Sequence, residues 1–66
     1  MQSFTIQYLD FDGKRIAQDI AFLNSVDEAK KYADERRPVD TLFINIKESI
    51  LCTYVAKKVG SSWFGV

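Results

Sequence analysis

One stretch of this chain has the start, stop and buried stripe of a helix, and it constrains what everything around it can become. Ser25 to Arg37, SVDEAKKYADERR, begins with a serine and carries Glu28 three residues later. This is the capping-box pattern, in which the serine oxygen accepts from the N–H of Glu28 and the glutamate reaches back to the N–H of Ser25. Asp27 and Glu28 in the first turn and Arg36 and Arg37 in the last complement the helix dipole. Pro38 ends the run, because it disfavours a helical Arg37 and has no N–H with which to continue the ladder. Val26, Ala29 and Ala33 recur at helical spacing beside Tyr32 and the stems of Lys30 and Arg37. Asp27, Glu28, Lys31, Asp34 and Glu35 point the other way. A buried stripe this small lets the helix lie close to a sheet that supplies large side chains.

The flanking sequence supplies such a sheet. Gln2 to Leu9 alternates, with Phe4, Ile6 and Tyr8 on one side, and Lys14 to Phe22 repeats the period through Ile16, Ile20 and Phe22. If Phe4, Ile6 and Tyr8 share a face with Ile16 and Ile20, paired residue numbers must sum to an even value. A three-residue loop of Phe11, Asp12 and Gly13 satisfies this, pairing Asp10 with Lys14 and Tyr8 with Ile16, and it needs a left-handed residue at Gly13. Val39 to Lys47 predicts a third strand with Leu42, Ile44 and Ile46 on one face, and Ile50 to Val59 a fourth. A four-residue loop over Lys47 to Ile50 would pair Ile46 with Leu51, turn Leu51 and Val55 toward the helix, and set Phe43 across from Tyr54 on the open face. The alternative turns Cys52 and Tyr54 inward. After the break at Gly60-Ser61-Ser62, the tail Trp63-Phe64-Gly65-Val66 is too aromatic for a disordered end and is expected to rest on something.

The reading is a single α+β domain over residues 1–66, ββαββ, with a four-stranded, mostly antiparallel sheet and one helix on one face. Its inner face would hold Phe4, Ile6, Ile16, Ile20, Leu42, Ile44, Ile46, Leu51 and Val55 against Val26, Ala29 and Ala33. This element order resembles the β-grasp architecture of ubiquitin and of small bacterial immunoglobulin-binding domains, and Met1-Gln2 and Phe4 echo ubiquitin's opening. The resemblance implies strand order 2-1-4-3, with the first and fourth strands central and parallel. It implies no activity, since the chain ends in Phe64-Gly65-Val66 and lacks the diglycine of conjugation and sulfur carriage. The rival topology keeps the same elements in a different strand order.

Function is constrained mainly by what is missing. Without histidine, His-based triads, general bases and metal sites are excluded, so the chain is expected to be no enzyme and to hold no cofactor or metal. Asp10-x-Asp12-Gly13 is a fragment of a calcium loop without its further ligands, and the hairpin already accounts for it. Cys52, in the run ILCTYVA, reads as a buried small hydrophobe. Nine basic and nine acidic residues cancel, which weighs against general nucleic-acid and membrane binding, and no apolar run is long enough for a membrane span. A cytoplasmic protein is expected.

What remains is an aromatic set, Phe43, Tyr54, Trp63 and Phe64, with Lys57 beside it. The tail either folds over the open sheet face as a second small core or leaves there a patch for a protein partner or self-association. A third reading, a platform for single-stranded nucleic acid, adds Lys47 and Lys58 to the same rings. The expected function is a small protein-binding, inhibitory or adaptor module, with a structural homodimer or a weak single-stranded nucleic-acid binder as the alternatives.

Overall fold

The computed structural model describes residues 1–65. In chain order it consists of β1 (Gln2–Leu9), β2 (Arg15–Leu23), α1 (Val26–Arg36), β3 (Phe43–Glu48), β4 (Thr53–Val59) and β5 (Ser62–Gly65). The five strands form one sheet in the order β2-β1-β3-β4-β5, antiparallel at every pairing. The α+β class and the single helix agree with the sequence reading, while the four-strand count and the β-grasp order do not. β3, where it returns from the helix, pairs directly with β1, setting Ile6 beside Ile46 and Tyr8 beside Ile44. That leaves β4 no place next to β1, so no parallel central pair forms. β4 and β5 extend the sheet as a meander instead.

The helix forms as its residues dictate. Ser25, in extended backbone, accepts from the N–H of Glu28 at 3.2 Å. The Glu28 carboxylate reaches back one residue further than expected, accepting from the N–H of Asn24 at 2.7 Å. Ala29 and Ala33 are fully buried. They pack on Phe4, Ile6 and Tyr8 of β1, Ile44 and Ile46 of β3, and Ala56 of β4, with Val26, Tyr32, Val55 and Trp63 at the margin. Large side chains on the sheet thus meet small ones on the helix.

Two β-bulges decide which side chains belong to that core. The first hairpin starts as predicted. The N–H of Asp10 donates to the carbonyl of Lys14, Gly13 has a φ of 77°, and Leu9 pairs with Arg15. The register then slips, so that Tyr8 pairs with Ala17 and Ile16 is the extra residue. Because the side-chain period is two, every later residue of β2 exchanges faces. Ala17, Asp19 and Ala21 turn toward the helix, Ile20 and Phe22 turn away, and Ile16, Ile20 and Phe22 are all exposed. The second bulge lies between Ile46 and Lys47, where Ile46 pairs with Ala56 and Lys47 with Tyr54, which makes Val55 the extra residue. The β3–β4 loop is therefore Ser49–Cys52, two residues later than expected. Leu51 and Cys52 are exposed on it rather than buried, and Tyr54 lies across from Lys47 rather than Phe43.

The tail does rest on something: it is β5. Gly60, with a φ of 60°, and Ser61 connect paired Val59 and Ser62, and Trp63 pairs with Lys58. Arg37 holds this end of the molecule together, donating to the carbonyl of Thr41 at 2.6 Å and to that of Gly60 at 3.2 Å. Val66 lies outside the described residues.

Candidate functional site: the open face of the sheet

Paired residues project to the same side of a sheet, so the register assigns every strand side chain to a face. The face opposite the helix has no covering element among the described residues. It is built in cross-strand rows. One runs Ile20, Thr5, Lys47, Tyr54. The next runs Gln18, Gln7, Asn45, Lys57, Phe64, across all five strands. A third runs Arg15, Leu9, Phe43, Val59, Ser62. Five strands span about 19 Å at the usual spacing between neighbours.

Large apolar groups on this face are wet. Phe22 is 65% exposed, Ile20 61%, Phe64 53% and Tyr54 45%. They flank a central band of amides and hydroxyls whose members hold one another in place. Gln7 donates to Gln18 at 3.4 Å and Arg15 to the same Gln18 oxygen at 3.0 Å. Thr5 and Ser49 share a hydroxyl–hydroxyl bond of 2.7 Å, and the Ser49 N–H donates to the carbonyl of Ser3, which fixes the root of the β3–β4 loop. Lys47 Nζ lies 5.7 Å from the centre of the Tyr54 ring, a cation–π distance.

Of the five residues singled out in the sequence, Phe43, Tyr54, Lys57 and Phe64 lie on this face and Trp63 does not. Trp63, half-buried, shares the helix side with Lys58, and its indole N–H donates to Asp34 at 3.3 Å. Lys58 is buried and paired with the other Asp34 oxygen at 2.5 Å, with its ammonium 5.3 Å from the Trp63 ring. Trp63 is thus part of the clasp between α1 and the β4–β5 hairpin, and the tail closes the helix-side core rather than the open face. With Gly60-Ser61 as a two-residue turn, Lys58 pairs with Trp63 on the helix side and Lys57 with Phe64 on the open face. That turn was the available signal. Of the two most exposed apolar groups of the face, Ile20 is expected inward and Phe22 follows the same alternation, because nothing in Lys14 to Ala17 announces a bulge.

Elsewhere little converges. A shallow depression between α1 and the end of β2 is lined by Leu23, Tyr32, Glu28, Lys31 and Glu35, with no nucleophile among them. No group of three or more potential metal ligands occurs among the described residues, and no described helix is long and apolar enough to cross a membrane. Among the described residues the one strongly displaced titration is that of Tyr8, whose hydroxyl is driven well above the tyrosine range by burial and then by its hydrogen bond to Asp19. This belongs to the core. No protein-family model, curated protein or solved structure matches the chain, so its surface speaks for itself.

Proposed function

We propose that this protein is a non-enzymatic binding module that engages a protein partner through the open face of its sheet. The observation that carries the reading is the exposure of Ile20, Phe22, Tyr54 and Phe64 on a sheet face whose opposite side the helix already covers. Apolar groups at the flanks of an ordered band of amides give a partner both area to bury and hydrogen bonds to match. Aromatic side chains on a rigid sheet also lose little entropy on binding. The exposed thiol of Cys52 suits a reducing compartment, and a cytoplasmic location forms part of the proposal.

The test compares capture from host cells by the wild-type protein, by Ile20→Ser/Tyr54→Ser, and by Lys31→Ser on the outer side of the helix. The open-face variant should keep its circular dichroism spectrum and lose the captured protein, while Lys31→Ser keeps both. A captured set unchanged in the well-folded open-face variant would overturn the reading. Sedimentation at several concentrations identifies the partner as a second copy if the mass rises and the same variant abolishes the rise.

A further inference from the structure

The chain carries nine basic and nine acidic residues, a balance that hides how they are distributed. Asp27, Glu28, Asp34 and Glu35 are on the helix, and Asp40 is in the loop that follows it. Asp10 and Asp12 belong to the first hairpin loop, where the Asp10 carboxylate accepts from the N–H groups of Asp12 and Lys14. Asp19 points to the helix side and accepts from Tyr8. Glu48 pairs with Phe4 on that same side, and its carboxylate accepts from the N–H of Leu51. No acid is left for the open face. Arg15, Lys47 and Lys57 all lie on it, one in each of its three main rows. Among the described residues the face has three side-chain cations and no side-chain anion, which makes it a positive surface, and positively charged partners are repelled from it.

Resting on the open-face reading, we infer that the partner is an acidic protein segment, one that sets carboxylates against Arg15, Lys47 and Lys57 and apolar side chains against Ile20, Phe22 and Phe64. A second copy of the chain is disfavoured as occupant, because its own open face is equally positive and its helix carries acids and bases in mixture. Single-stranded nucleic acid fits the charge but not the rest. Lys47 sits over the Tyr54 ring where a base would stack, and the exposed Phe22 and Phe64 rings lie on opposite edge strands, β2 and β5, too far apart to stack successive bases.

The experiment is an amide-resonance titration of the isotope-labelled full chain with three probes. These are a twelve-residue capped peptide alternating aspartate with leucine and tyrosine, the same peptide with lysine for aspartate, and a ten-nucleotide oligothymidylate. The acidic peptide should give saturable shifts centred on Thr5, Gln7, Asn45 and Lys57, weakening about fivefold as salt rises through the range where surface charges are screened. Arg15→Gln/Lys47→Gln/Lys57→Gln should weaken that binding about tenfold or more. Lys57→Glu, a single change at an exposed position, should do so in the same direction and serves if the triple variant is not folded. Equal binding of the lysine peptide, tighter binding of oligothymidylate on this face, or no shift from any probe would each overturn the inference. Partner capture that still depends on Ile20 and Tyr54 would then show that the charge inference had failed and the binding face had not.

Discussion

Gly13 and Tyr8 show how single residues carry backbone and pH behaviour in this small protein. At Gly13 the φ of 77° is left-handed and a β-carbon would meet nothing within 4 Å, so a substitution there is strained by the backbone alone. Gly13→Val should lower stability by about 1–2 kcal/mol and Gly13→Asn by less, read from denaturant midpoints. Equal midpoints for glycine and valine would contradict the loop geometry. Tyr8 is fully buried with its hydroxyl on Asp19, and its folded pKa is raised above the unfolded value of 10.0. The unfolded chain therefore gives up that proton first. Its contribution to stability is whole below pH 10 and lost above it, at about 1.4 kcal/mol per pH unit once the unfolded phenol has ionised. Unfolding measured from pH 9 to 11.5 should show a steeper decline for wild type than for Tyr8→Phe.

At the scale of elements, the bulges are what separate the sequence's pattern from the sheet's. Ile16 has no partner across the ladder, so deleting it leaves the pairs Leu9 with Arg15 and Tyr8 with Ala17 in continuous register. Deleting Ala17 also closes the bulge and leaves Ile20 outward and Ala21 inward, but it sets the larger Ile16 opposite Tyr8 in the place of Ala17 beneath the helix. Both variants should keep a cooperative thermal transition, the first near that of wild type and the second lowered by an overpacking cost of about 1–3 kcal/mol, as calorimetry would show. The helix was legible because caps, charges and Pro38 are local chemistry, and the loop at Gly13 because only one residue there suits a left-handed turn. The faces of β2 and β4 were not. A register slip is set by the fit of Ala17 and Ala21 beneath the helix, and no residue type in Arg15-Ile16-Ala17 or Tyr54-Val55-Ala56 marks it. The site inherits that ambiguity: alternation puts Phe43 and Tyr54 on the open face and the aromatic tail brings in Phe64 with Lys57 beside it, whereas Ile20 and Phe22 can be found only once the slip is known.

For the molecule as a whole, the helix and the far end of the sheet are joined through Asp34, which receives both the buried Lys58 ammonium and the Trp63 indole. Asp34→Ala removes the partner and leaves the charge in place, and should cost about 2–3 kcal/mol in chemical denaturation. Lys58→Met in the same background should recover most of the loss, because an apolar side chain of similar length needs no counter-ion there. No recovery would mean that Asp34 acts mainly through Trp63. The order β2-β1-β3-β4-β5 also bears on the sequence of events as the chain folds. The stretch up to Glu48 already holds the helix, the middle of the sheet and every residue of the buried cluster except Ala56. During folding, then, the interior can close around β1 before the last two strands dock, and these attach afterwards along a single rim.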